Sequence, residues 1–185
     1  TVRPFRVALS ASFRKPDGSM TYPSFDLSPL TDASGIETCF LSHGDPIRAQ
    51  ELEDIDALIL LSERFTKESI PASGKLSVVA RFGVGYDTVD VEACTHNDIA
   101  VCITPDGVRR PVAVSILTLM LALTGKLLVK DRITRQGPDG FAARNKHMGL
   151  GLVGRTLGSV GIGNIGAEMF RLAAPLGMKF IAHDP

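Results

Sequence analysis

Apolar residues along the first 103 positions fall into short runs at 5–11, 36–41, 57–61, 76–81 and 99–103, separated by longer polar stretches. Runs of that length bounded by turn-forming residues suit buried strands, and helix-compatible segments between them suit βαβ units around a parallel sheet. The spacing predicts intervening helices at 45–52 and 90–97, each opening on an aspartate, Asp45 or Asp90, able to cap free amides. Residues 14–28 show no period and read as a surface loop. A change of pattern at Thr104-Pro105-Asp106-Gly107 predicts a crossing into a second domain, so the domains are placed at 1–105 and 106–185. A long helix is expected over 111–130, with Pro111 in its first turn, followed by an irregular arm over 135–151. A second α/β pattern begins at Thr156, with a strand to Val160, a helix over 167–176 and a strand over 179–183.

The richest chemistry sits in that second pattern. Gly161-Ile162-Gly163-Asn164-Ile165-Gly166 follows the Thr156 strand directly and precedes a helix. In such a turn the first glycine permits the bend, the second lets the backbone approach a pyrophosphate, and the third lets helix and strand pack closely. Free amides and the positive end of the helix dipole then face the phosphates. Asp184 lies 18 residues beyond Gly166, at the end of the next strand. A carboxylate there accepts hydrogen bonds from an adenosine ribose and repels a 2′-phosphate, which favours NAD over NADP. A second glycine cluster, Gly83-Val84-Gly85, follows the strand at 76–81. Successive amides left uncrowded by glycine can cradle a small carboxylate, although the same residues also suit a plain sharp turn before the helix at 90–97.

Composition narrows the partners. Twenty Lys plus Arg balance 20 Asp plus Glu, so no global basic field draws nucleic acid. With 44% hydrophobic and 22% charged residues the chain is globular in composition rather than disordered or fibrous. Charge is uneven locally: 31–56 holds seven acids to one base, and 126–146 six bases to two acids, the latter a candidate intersubunit arm. Cys39, Cys94 and Cys102 make an odd set without paired spacing, which points away from disulfides and zinc and towards a reducing, cytoplasmic setting. The uncharged stretch 111–125 would reach about 23 Å as a helix, short of a ~30 Å hydrocarbon layer, and is expected to be a buried helix of a soluble protein without a membrane partner.

Three segments, 79–90, 104–113 and 154–166, taken together and in this order, resemble the D-isomer-specific 2-hydroxyacid dehydrogenases of the glyoxylate, hydroxypyruvate and phosphoglycerate type. The resemblance implies a flavodoxin-like substrate domain joined to a Rossmann NAD domain, both with parallel sheets. It implies an oxidoreductase that moves a hydride between NAD(H) and a small 2-oxo acid or D-2-hydroxy acid. On that pattern Gly83, Val84 and Gly85 hold the substrate carboxylate. Thr104 lies near the cofactor, Asn164 and Ile165 offer amides to the pyrophosphate, and Asp184 holds the ribose. A homodimer built on the cofactor domains is implied by the long helix and arm.

Thr88 and Val114 depart from the family's usual Asn and Glu. The family's catalytic Arg, and its His paired with a Glu, would fall after the second Rossmann strand. None of His43, His96, His147 or His183 matches the acid/base position, so no catalytic residue is assigned and the chain is expected to be a fragment. Arg64 is either a contact for an anionic substituent or a surface charge. The alternatives to a dehydrogenase are a non-catalytic NAD(H)-sensing protein resembling the C-terminal binding protein corepressors, and an inactive truncated fragment.

Overall fold

The computed structural model describes residues 3–42 and 44–185, so His43 lies outside the described residues. The chain forms two compact units, Thr1–Thr104 and Pro105–Pro185. In the first, strands β1 (Phe5–Leu9), β2 (Ile36–Phe40), β3 (Ala57–Leu60), β4 (Val78–Arg81) and β5 (Ala100–Cys102) pair in parallel. Their order, β2-β1-β3-β4-β5, is that of flavodoxin-like sheets. All five apolar runs become strands, each one or two residues shorter than its run. Ala8, Leu58, Leu60, Phe65 and Val79 are fully buried at the centre, and Leu52, Ile55, Cys94 and Ile99 close over them.

Helices α1 (Ser28–Thr31) and α2 (Val91–His96) are short. Asp90 caps α2, its carboxylate accepting from Ala93 N at 2.9 Å. The helix expected at 45–52 is reduced to one 3-10 turn, Ala49–Leu52. Asp45 instead accepts from Arg64 N at 2.8 Å, and Ile47 N donates to Arg64 O at 2.9 Å, which ties the segment to the chain leaving β3. Pro46 adds to this, because a residue before proline avoids the helical region.

Carboxylates fasten the first unit. Asp54 lies far below the usual carboxylate range because Lys75 and Arg6 donate to it, with further attraction from Arg3. Burial pushes Asp56 up, but hydrogen bonds from Arg3 and the Arg6 amide bring it below its ordinary value. Burial likewise raises Glu63, and donors from Ser10 and Ser12 outweigh it, so that group too is lowered. A carboxylate depressed in the folded state contributes stability that is complete above the unfolded value and lost as pH falls through the folded one. Urea midpoints of the first unit should therefore hold steady from about pH 7 to 5 and fall below about pH 4. Glu63→Gln, which leaves one donor facing an amide nitrogen, should lower stability at neutral pH by about 1–3 kcal/mol and weaken the acid dependence.

The second unit differs more from expectation. The long helix is two helices, α3 (Pro105–Thr124) and α4 (Leu127–Thr134). Pro105 opens α3, and Pro111 sits inside it. The break comes at Gly125-Lys126, where Lys126 turns left-handed with φ +53°. A Cβ on Gly149 would lie 2.9 Å from Thr124 O, so the returning arm packs its backbone directly on the end of α3. Nor is the arm irregular: it carries α5 (Pro138–Ala142) and a 3-10 turn, Arg144–His147. A Cβ on Gly140 would stand 1.7 Å from Ile133 O, so α5 sits against α4 with no room for a side chain. Gly140→Ala should detach α5 and cost about 2–3 kcal/mol, read as a lowered unfolding midpoint.

The burial expected for the 111–125 stretch is not found: Ala113 is the buried residue of α3, whereas Leu119 and Leu123 are 65% and 77% exposed. One flank of α3 packs on α6 (Asn164–Ala173), which burial of Met169 and Ala173 holds in place. Arg110 reaches from α3 to Glu168 at 3.1 Å. α3 is long and apolar enough by length and composition to cross a membrane, but Asp106, Arg109 and Arg110 occupy its first two turns. Strands β6 (Thr156–Val160) and β7 (Lys179–His183) flank α6 and pair in parallel. α6 begins earlier than the expected 167, because Gly163 serves as its N-cap, and it passes into a 3-10 turn at Ala174–Leu176. Pro175, which has no N–H to continue the helical ladder, lies in that turn.

Candidate active site

In the first unit the Gly83-Val84-Gly85 loop leaves the carboxyl end of β4, the end of a parallel sheet where ligands bind. Phe82 N extends the ladder to Leu60 O at 2.8 Å, and the chain then bends sharply. Gly83 has φ +148°, and a Cβ there would meet Arg81 Nη1 at 2.6 Å. The Gly83 amide folds back on Arg81 O at 2.8 Å, whereas those of Val84 and Gly85 have no partner among the described residues. Of the three amides singled out in the sequence, two are therefore open to a ligand and one is spent on the turn. Arg81 donates through Nη1 to Phe82 O, and its Nε is buried without a partner among the described residues. Thr104 approaches the same loop: its N and Oγ1 both donate to Gly83 O, at 2.8 and 3.3 Å.

Two features of this surroundings had no periodic signal. Residues 14–28 are closed by a bridge between Arg14 and Met20, and they deliver Tyr22 and Phe25 onto Phe82, with ring centroids 5.8 and 5.0 Å away. Phe13 lies beneath, 5.5 Å from Phe82. Glu63 is 7% exposed, and accepts from Ser12 N and Ser12 Oγ, each at 2.7 Å, and from Ser62 N at 3.1 Å. It thereby binds the chain leaving β1 to the chain leaving β3. The only trace of it in the sequence is polar residues placed directly after two apolar strands, Ser10 and Ser12 after β1 and Ser62-Glu63 after β3.

In the second unit Gly161 takes φ +89° as β6 ends. Its amide donates to His183 O at 2.7 Å, and Ile162 N donates to Asp184 Oδ2 at 2.6 Å, so the end of β7 holds the turn. The amides of Gly163, Asn164, Ile165 and Gly166 have no partner among the described residues, and the first helical bond of α6 is Ala167 N to Gly163 O at 2.9 Å. A Cβ on Gly163 would meet nothing within 4 Å, leaving space for a ligand, whereas one on Gly166 would lie 2.7 Å from Gly161 O. Four unpaired amides at the start of a ten-residue helix, with open space before them and Asp184 alongside, suit a pyrophosphate and a ribose.

Among the described residues, His96, His147, His183 and Arg64 gain no ligand role from the geometry. His96 Nδ1 contacts Glu92 O at 2.8 Å, and His147 lies in the arm. His183 is in β7, where its carbonyl supports Gly161. Arg64 is paired with Asp45 at 3.2 Å. Around α2 a surface groove is lined by Lys67, Asp90, Glu92, His96 and Asn97, but Asp90 and Asn97 spend their polar atoms on the ends of the helix. No metal-ligating cluster occurs among the described residues.

One α/β unit thus carries a glycine-rich strand-to-helix turn of the dinucleotide-binding kind and the other a glycine loop with two open amides, and comparison with known proteins gives that class its family. The profile of the D-isomer specific 2-hydroxyacid dehydrogenase catalytic domain matches residues 36–115, and that of the same family's NAD binding domain matches 117–185. The chain belongs to the D-isomer-specific 2-hydroxyacid dehydrogenase family, and its second unit is of the NAD-binding type. It is 37% identical over 140 residues to a glyoxylate reductase of Thermococcus kodakarensis, a match covering 73% of this chain and 42% of that protein. With the human D-3-phosphoglycerate dehydrogenase it shares 38% identity over 136 residues, 73% of this chain and 25% of that one. The crystal structure of a 2-hydroxyacid dehydrogenase from Ketogulonicigenium vulgare superposes with a TM-score of 0.74 at 25% identity, over 98% of this chain and 54% of that one. The chain thus spans less than half the length of these two curated relatives.

Proposed function

We propose that the protein is an NAD-dependent oxidoreductase that interconverts a small 2-oxo acid and its D-2-hydroxy acid. The observation that carries this reading is the pair of amides, Val84 and Gly85, at the carboxyl end of a parallel strand, which like those of Gly163 to Gly166 have no partner among the described residues. Val84 and Gly85 hold the substrate carboxylate. Asn164 and Ile165 hold the pyrophosphate between flanking glycines, Asp184 holds the ribose, and Thr104 borders the cofactor. When bound, NAD(H) supplies the hydride donor or acceptor; the residues of this chain bind and orient. The names of the relatives favour glyoxylate, or a hydroxy acid of the glycerate type, as the substrate class.

A homodimer is part of the same proposal. Leu119, Leu123, Leu128, Phe141 and Met148 are each more than half exposed on α3, α4 and the arm, an apolar surface that a second copy would cover. Three free thiols support a reducing, cytoplasmic setting, and the zero formal charge favours small acids over nucleic acid as partners. The test is NADH consumption by the intact protein with glyoxylate and hydroxypyruvate. Turnover with either, yielding glycolate from glyoxylate or D-glycerate from hydroxypyruvate, supports the proposal. Inactivity across small 2-oxo acids with NADH demonstrably bound counts against it.

A further inference from the structure

Thr104 does something for the carboxylate loop that a position bordering the cofactor does not require. Its amide and its hydroxyl converge on one atom, the carbonyl oxygen of Gly83. That carbonyl shares a peptide plane with the N–H of Val84. Among the described residues the one cis bond is Asp45-Pro46, so this peptide is trans, and its C=O and N–H point in opposite directions. Holding Gly83 O therefore aims Val84 N–H away from Thr104, with no partner among the described residues to receive it.

The rest of the loop does not fix that plane. The preceding peptide is tied on both sides to Arg81, through Gly83 N to Arg81 O and Arg81 Nη1 to Phe82 O, which sets the chain as far as the Gly83 Cα. Beyond it Gly83 is the most freely rotating residue available, so the next peptide would be free to swing without an anchor. Thr104 supplies that anchor from β5's end of the sheet.

We infer that Thr104 is a positioning residue for the substrate carboxylate, aiming the Val84 amide by pinning the Gly83 carbonyl. The inference rests on the reading of Val84 and Gly85 as the carboxylate site. Its consequence is an effect on anion binding in protein free of cofactor, which a residue that touches only the cofactor would not produce.

The experiment is titration of the full, cofactor-free chain with oxamate, followed by calorimetry and by the amide NMR signals of Val84 and Gly85, for wild type, Thr104→Val and Thr104→Ser. Valine keeps the shape and the backbone bond but removes the hydroxyl; serine restores it. Oxamate should shift both amides in the wild type. Its Kd should rise about three- to ten-fold in Thr104→Val, the range expected for loss of one hydrogen bond, and return close to wild type in Thr104→Ser. Equal affinity of Thr104→Val and wild type overturns the inference alone, as does a serine variant as weak as the valine one. Failure of the wild-type amides to respond to oxamate overturns the reading of the loop itself, and the inference with it.

Discussion

Gly166→Val is expected to abolish NADH binding while leaving the first unit folded. The Cβ of any residue at 166 would stand 2.7 Å from the carbonyl oxygen of Gly161, a backbone atom that cannot rotate out of the way. Gly161 is itself held by the hydrogen bond its N–H donates to His183 O, and Ser159 Oγ donates to the Gly161 carbonyl at 2.7 Å. To relieve the overlap, the first turn of α6 must move off β6, and the unpaired amides of Gly163 to Gly166 lose their common direction. The helix-dipole and hydrogen-bond contributions to phosphate binding depend on that direction, so a drop in affinity of about a hundredfold or more is anticipated. Fluorescence titration with NADH reads the loss. Circular dichroism and oxamate binding should remain close to wild type, since the first unit contains none of the altered contacts.

The second large effect is at Gly83. Its φ of +148° is a conformation that side chains rarely adopt, and a Cβ there would meet the Arg81 guanidinium at 2.6 Å. The guanidinium is flexible and can give way, but the backbone conformation cannot be kept by a β-branched residue without strain of roughly 1–3 kcal/mol. Gly83→Val should therefore turn the Gly83–Val84 peptide, break both bonds from Thr104, and weaken oxamate binding by about tenfold or more. NADH affinity should be retained. Loss of NADH binding with intact oxamate binding in this variant would contradict the division of labour between the two glycine loops.

These two glycines were legible in the sequence because their neighbours announce them: Gly83 comes two residues after β4, and Gly166 is the third glycine of the turn that follows β6, both beyond the strand ends where a parallel sheet places ligands. The strands were legible from their apolar runs, since a strand covered on both faces must be apolar along its length, as β3 is. Helices were harder. At 45–52 the polar pattern suits a helix, but Ile47 N is claimed by Arg64 O, a partner 17 residues away that no local pattern reveals. The break between α3 and α4 follows from close backbone contact between Gly125 and Gly149, and a long apolar stretch conceals it.

Around the candidate site, the missing parts were those that depend on tertiary neighbours. Glu63 reads as an ordinary surface acid until the folding of β1 beside β3 surrounds it with serine donors. Residues 14–28 read as loop, and they are loop, yet Tyr22 and Phe25 acquire a place only once Phe82 is beside them. Thr104 was singled out by family resemblance for the cofactor; its bonds to Gly83 are visible only in three dimensions, because the two residues are 21 positions apart.

The central claim is that residues of this chain form a site for NAD, and calorimetric titration of the purified protein with NADH and then NADPH tests it most directly. The account predicts one NADH per chain and NADPH weaker by about tenfold or more, because the Asp184 carboxylate repels a 2′-phosphate. No binding of NADH, or tighter binding of NADPH, would contradict it.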